Sequence, residues 1–287
     1  MGPGAEKIPV NLIRIIPAEE NKMDEIRSCC LTIAGGDSGG NAGIQADLRI
    51  FHSYGLHGCC VITALTAQNP FGVTGIETAG ADFVAKELDA VLGVYSIRAL
   101  KTGMLFSAPV IHAIADKLKD RPSVVKIIDP VMVATSGARL LEESAVAALK
   151  KELLPIADIV TPNIPEAELI SGVAITDCAS LRDAAKSVFD KFGCAVLLKG
   201  GHALNDIALG EDTLYDGKNF ASFILPPISN PVSTHGTGCS LSAALAAELT
   251  LGHDLITAVT GAKRTVHEAI KNSYLVGPNC GVLGFSR

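Results

Sequence analysis

The chain has 287 residues, 48% of them hydrophobic and 19% charged, with a formal net charge of -6. That length and apolar content suit one large domain with a sizeable core, and the acidic balance excludes the uniformly basic face that a nucleic-acid or anionic-membrane binder needs. The expected partner is a small molecule.

Residues 1–22 read as an N-terminal extension to a single domain of residues 23–287, and a chain beginning at Met23 is expected to fold and work without them. The segment lacks the continuous apolar core of a signal peptide, being broken by Pro9, Asn11, Arg14 and Pro17, and Glu6 stands where a myristoylation signal wants Ser or Thr. No apolar run approaches the length of a membrane span. Eight cysteines, at 29, 30, 59, 60, 178, 194, 239 and 280, show no two-residue spacing of a zinc or redox motif. They read as reduced thiols of a cytoplasmic protein, because a chain of this size needs no disulfide framework.

From Cys29 onward short apolar runs alternate with segments of helical period. CCLTIA precedes GIQADLRIFHSYG, CCVITAL precedes ADFVAKELDAVL, IRALKTG precedes APVIHAIADKL, and SVVKIID precedes ESAVAALKKELL; further runs follow at ADIVT and CAVLLKG. Val- and Ile-rich runs separated by amphipathic helices predict βαβ units, hence a mainly parallel sheet between two helical layers. The segment from Asp212 to Phe223 reads as a hairpin turning at Asp216 and Gly217.

Ligands of such sheets gather beyond the carboxyl ends of the strands, and the polar and glycine-rich segments fall there. GGDSGGNAG, at Gly35 to Gly43, satisfies neither the dinucleotide fingerprint nor the Walker A loop, but its glycines suit a backbone that closely approaches a flat ligand. Gln68 either bridges loop backbone or reads the paired donor and acceptor edge of an aminopyrimidine. Met104 and Val131 are either core residues or walls for an aromatic ring. Asp129, Asn163 and Glu166 are helix caps or loop residues taken singly. With Lys199 they supply what phosphoryl transfer needs, acceptors for hydrated Mg²⁺ and a cation for the transferred charge. In STHGTGCSLSAALAA, Gly236 and Gly238 let backbone N–H groups converge on an anion at a helix start. The same field is expected to favour a Cys239 thiolate; the alternative is a packed thiol that shapes the pocket.

The ordered set AGGDSGGNAGIQAD, TALTAQN, KTGML, DPVMVATSG, LLPIADIVTPNIPEAE, LLKGGH and THGTGCSLSAALAAEL resembles the hydroxymethylpyrimidine and phosphomethylpyrimidine kinases of thiamine biosynthesis, within the ribokinase-like superfamily. The match runs from about Leu31 to about Ser273. It implies a three-layer α/β/α sandwich and transfer of phosphate from ATP, with Mg²⁺, to 4-amino-5-hydroxymethyl-2-methylpyrimidine and then to its monophosphate. By resemblance, Gly35, Asp37, Ala42, Gln68, Met104 and Val131 surround the pyrimidine, and Gly236, Thr237 and Gly238 form the anion hole. Cys239 is the base, Lys199 steadies the transferred phosphate, and Asp129, Asn163 and Glu166 serve the nucleotide–Mg²⁺ side. Homodimerisation is a further family expectation. Gly36, Asn41 and Ser233 depart from the residues common in the family. A pyridoxine or pyridoxal kinase and a catalytically silent pyrimidine sensor are the competing readings.

Overall fold

The computed structural model describes residues 27–132, 141–201 and 207–285. The N-terminal extension, residues 133–137 of DPVMVATSG and residues 202–206 of the KGGHALND segment lie outside the described residues. The first half runs β1 (Cys29–Asp37), α1 (Gly43–Ser53), β2 (His57–Asn69), β3 (Gly72–Thr78), α2 (Ala81–Leu92), β4 (Ile97–Thr102), α3 (Ala108–Leu118) and β5 (Val125–Ile128). Beyond the 133–140 segment come α4 (Glu143–Ala148), β6 (Ile159–Val160), α5 (Ile164–Ser171), α6 (Cys178–Phe192) and β7 (Ala195–Leu198). A hairpin of β8 (Asp212–Tyr215) and β9 (Phe220–Phe223), helices α7 (Thr237–Thr250) and α8 (Leu255–Lys271), and a small hairpin of β10 (Tyr274–Gly277) and β11 (Cys280–Val282) follow.

Nine strands form one sheet in the order β3-β2-β1-β4-β5-β6-β7-β8-β9. The six from β2 to β7 in that order are parallel; β3, β8 and β9 join antiparallel at the edges. Every residue of β1 is buried, as a parallel strand covered on both faces requires. Its side chains alternate between two cores. Leu31 and Ile33 pack with Val84, Ile111 and Leu181 of α2, α3 and α6, whereas Cys30 packs with Phe51, Leu245 and Val259 of α1, α7 and α8. The result is the expected three-layer sandwich.

Helix α7 lies against the sheet, α1 and α8, and Ser240 through Ala247 are all buried. The small side chains of Ala243, Ala244, Ala246 and Ala247 let its backbone approach these neighbours closely, which explains the run of small helix formers. The hairpin at Asp216 forms as the sequence predicts, the Asp216 carboxylate accepting the Lys218 and Asn219 N–H groups across the turn.

Two elements differ from the sequence reading. β1 extends through Gly35, Gly36 and Asp37, pairing Gly36 with Leu65 and Asp37 with Thr66 after a register shift. β2 likewise continues through Thr66 and Gln68 and folds back as β3. Local composition marks both stretches as loops, but ladder hydrogen bonds to a neighbouring strand hold them extended. β1 sits between β2 and β4, the place where the strand order reverses, so a crevice opens beyond the carboxyl ends of β1 and β4.

Candidate active site

The loop after β1 is shaped by one carboxylate. Asp37 Oδ1 accepts the N–H of Gly39 at 2.8 Å, and Oδ2 accepts those of Asn41 and Ala42, both at 2.9 Å. Its own N–H donates to Gln45 Oε1 at 2.8 Å. Ser38 stitches this loop to β2, donating to the Gln68 carbonyl and accepting the Gln68 N–H. Asp37 borders the crevice, but its oxygens are committed to the loop backbone.

Gln68 presents a carboxamide at the crevice rim, its Oε1 accepting from Thr66 Oγ1 at 3.1 Å. The apolar wall opposite comes from Met104, packed with Ala64, Ile76 and Val131.

The floor is the start of α7. Gly236, its N-cap, has φ of +86°, and a β-carbon there would overlap the Asn41 carbonyl oxygen. Only glycine meets both conditions without strain. The contact brings the β1–α1 loop against the turn that carries Thr237, Gly238 and Cys239. Ser240 is the first residue whose N–H bonds back to the Gly236 carbonyl. The N–H groups ahead of it have no intrahelical acceptor and form an anion-binding terminus.

Charge is concentrated beside this floor. Lys199 Nζ lies 2.8 Å from Asp129 Oδ1 and 3.9 Å from Glu166 Oε2, and 3.7 Å from where a β-carbon on Gly238 would stand. Ser242 donates to the other Asp129 oxygen at 3.0 Å. Burial works against the Lys199 charge, but Asp129 and Glu166 outweigh it and hold the ammonium above its ordinary range. Glu166 is pushed up by burial, with Lys199 pulling the other way. Glu166 and Asn163 also form a capping box at the start of α5, so the cap reading and the site reading describe the same two residues. The site residues expected from the sequence, Gly35, Asp37, Ala42, Gln68, Met104, Asp129, Val131, Asn163, Glu166, Lys199, Gly236, Thr237, Gly238 and Cys239, line one cavity of about 170 Å³.

A second, mainly apolar cavity of about 310 Å³ adjoins it, walled by Leu225, Pro226, Ile228, Leu241, Val266 and Ile270. The two share Lys199, Thr237 and Gly238. The arrangement suits a flat polar ligand in one cavity, a larger partly apolar ligand in the other, and negative charge passing between them over a helix N-terminus.

A family model described as phosphomethylpyrimidine kinase matches residues 37–284. The chain belongs to that family. The hydroxymethylpyrimidine/phosphomethylpyrimidine kinase of Haemophilus influenzae is 45% identical over 254 residues, 88% of this chain and 94% of that protein. A crystal structure of phosphomethylpyrimidine kinase from Clostridium difficile superposes with a TM-score of 0.75 at 38% identity, covering 84% of this chain and 99% of that one. An ADP complex of Bacillus subtilis pyridoxal kinase gives a TM-score of 0.82 at 32% identity over 91% of this chain and 98% of that one. The fold is thus the ribokinase-like one expected for a phosphomethylpyrimidine kinase family member.

One expectation for this family member is corrected. The helix terminus was expected to favour a Cys239 thiolate, yet burial pushes the Cys239 thiol up, and Asp47 and Asp129 add to that. Lys101 and the Gly43 N–H oppose the rise without cancelling it. The sequence reading also passes over Lys101 and Asp47, both fully buried and paired at 2.9 Å. A signal was available: Asp47 is three residues from both Ile44 and Ile50, on the apolar face of α1, and Lys101 lies within an apolar strand. The apolar second cavity was missed too, its walls being drawn from three distant segments.

The thiol shift is directly measurable. Site-resolved alkylation of Cys239 followed against pH is expected to show a midpoint above the ~8.5 of an unperturbed thiol. A midpoint below that value would show that the helix terminus outweighs burial.

Proposed function

We infer that this phosphomethylpyrimidine kinase family member transfers the γ-phosphoryl group of ATP to the hydroxymethyl oxygen of 4-amino-5-hydroxymethyl-2-methylpyrimidine. A second transfer to the resulting monophosphate yields the pyrimidine diphosphate of thiamine biosynthesis. The observation that carries this reading is the shared border of the two cavities, where Lys199, Thr237 and Gly238 face both. Acceptor and nucleotide occupy the cavities on either side, and phosphate crosses between them.

In this reading the Gln68 carboxamide pairs with the aminopyrimidine edge, and Met104 and Val131 flank the ring. Gly35 and Asp37 at the end of β1, and Ala42 in the loop that follows, bring backbone to the ring's rim. Cys239 accepts the alcohol proton while the alcohol oxygen bonds to the γ-phosphorus and the bond to the bridging oxygen of ADP breaks. The N–H groups at Gly236, Thr237 and Gly238 receive the charge that develops on the phosphoryl oxygens, and Lys199 balances it.

No group of three acidic, His or Cys side chains suited to a metal occurs among the described residues. Asp129 and Glu166 nevertheless fit Mg²⁺ carried in by nucleotide phosphates, because that ion keeps much of its water and takes only one or two carboxylates. These two residues, with Asn163 nearby, would hold it, and the ion would supply charge neutralisation for the phosphates.

Turnover of hydroxymethylpyrimidine, its monophosphate and pyridoxal, each with ATP and Mg²⁺, tests the reading. ADP formation with both pyrimidines is expected. The higher TM-score to pyridoxal kinase favours pyridoxal as the rival substrate. Gln68→Leu separates the two, since it should cripple pyrimidine turnover through an unpaired polar edge and affect pyridoxal less. Pyrimidine binding without ADP formation would instead favour a silent sensor.

If Cys239 is the base, Cys239→Ala should lower turnover roughly 10²–10⁴-fold while nucleotide binding is largely kept. Near-normal turnover would leave Cys239 a packing role.

The setting that fits this function is the cytoplasm. Cys29, Cys30, Cys59, Cys60, Cys194, Cys239 and Cys280 are free thiols, and no helix among the described residues is long and apolar enough to cross a membrane. A homodimer is supported by exposed apolar side chains near one end of the sheet, Leu65 on β2 and Phe71 in the turn to the edge strand β3. The working unit is taken as the single domain of residues 23–287. A chain beginning at Met23 is expected to match the full chain in thermal unfolding and turnover, and a large loss of either would show that the extension docks on the domain.

A further inference from the structure

The buried pair of Lys101 and Asp47 takes no part in the transfer described above, yet it is costly to bury and lies directly behind the cavity. Lys101 is on the side of β4 that faces α1, α7 and α8, the side to which its neighbour Ala99 also points. Its side chain is wholly buried, and Nζ is fixed 2.9 Å from Asp47 Oδ2. Thr32 Oγ1 donates to that same oxygen at 2.6 Å. Two donors on one oxygen mark Asp47 as a carboxylate, and Asp47 Oδ1 has no hydrogen-bond partner to receive a proton from it. Burial pushes the Asp47 carboxyl up, with Lys101 and Thr32 pulling the other way, and Asp47 in turn holds the Lys101 ammonium charged against the cost of burial.

Gly103 separates this ammonium from the cavity. A β-carbon on Gly103 would stand 3.2 Å from Lys101 Nζ and 2.9 Å from the Ala34 β-carbon, and Gly103 lines the same cavity as Cys239. With no side chain on Gly103, its backbone is both near the Lys101 ammonium and part of the cavity wall.

We propose that Lys101 is a positioning residue for the reaction, a fixed ammonium behind the cavity that stabilises the negative charge Cys239 carries when it is ready to accept the alcohol proton. The charged groups around Cys239 are Asp47 on α1, Lys101 on β4, Asp129 after β5 and Lys199 after β7, and His235 enters the same cavity from the preceding loop. Lys199 is tied to Asp129 and Glu166 on the phosphate side. Lys101 is the cation with the larger effect on the thiol, and it opposes both the burial and the two aspartates.

This inference rests on Cys239 as the base, and the test separates the two ideas. The full-length chain carries Lys101→Met together with Asp47→Asn, so that no unpaired charge is left buried; Lys101→Gln with Asp47→Asn is the second pair should the first fail to fold, and Lys101→Arg keeps the charge. Iodoacetamide alkylation of Cys239, resolved by peptide mass spectrometry across pH, reads the thiol directly, and the pH profile of kcat is measured in parallel. The neutral pairs remove the lowering by Lys101 and the smaller raising by Asp47 together, so they are expected to move the Cys239 midpoint up by about half a pH unit, which lowers its thiolate population and alkylation rate about threefold at pH 8, and to move the kcat profile with it. Lys101→Arg should retain the original midpoint. An unchanged Cys239 midpoint in a folded neutral pair overturns the proposal. A shifted midpoint with an unshifted kcat profile upholds the effect of Lys101 on the thiol and overturns Cys239 as the base.

Discussion

Two lysine–aspartate pairs buried around Cys239 set the terms on which the rest of the cavity is built. Lys101 with Asp47 ties β4 to α1, and Lys199 with Asp129 ties the end of β7 to the end of β5. A lone charge in such surroundings is expensive, so each ion demands its partner at hydrogen-bond distance. Satisfying both pairs fixes the relative positions of three strand ends and one helix. The floor formed by the start of α7 lies between them.

That floor also depends on close backbone approach. The β1–α1 loop is held by the Asp37 carboxylate and meets the α7 N-cap at Gly236, where the Asn41 carbonyl leaves no space for a side chain. Two loops distant in sequence thus meet without intervening side chains, and the free N–H groups of the helix terminus open onto the cavity. The alanine run of α7 continues the same logic one layer deeper, since small side chains let the helix lie close to the sheet and hold its terminus in place.

The same burial that organises these charges works against the chemistry of the thiol. A helix N-terminus favours a thiolate, but Cys239 is half-buried in the cavity floor and has two aspartates nearby, and desolvation with these charges prevails. The field at Cys239 is thus a balance between groups on four different elements, and the helix terminus is one contributor among them.

Much of the architecture was legible in sequence because it rests on local periodicity. Alternating Val- and Ile-rich runs and amphipathic helices are sufficient to specify a parallel sheet between helical layers, and the Asp216–Gly217 turn carries its own hydrogen-bond chemistry. The candidate site was legible for a related reason. Polar residues and glycines placed just after apolar runs fall at the strand ends, and the order of the motifs points to one family of kinases. The β2–β3 hairpin was not legible, since its residues have loop composition and stay extended only through cross-strand pairing. Nor could the sequence decide whether Asp37 faces a ligand or its own loop, whether Cys239 is held as thiol or thiolate, or that Lys101 lies behind Gly103. A sequence determines which side chains are available and on which face of an element they fall. Burial, and which charges meet across elements far apart in the chain, arise only when those elements pack together, so the tertiary structure alone decided the electrostatics of the cavity.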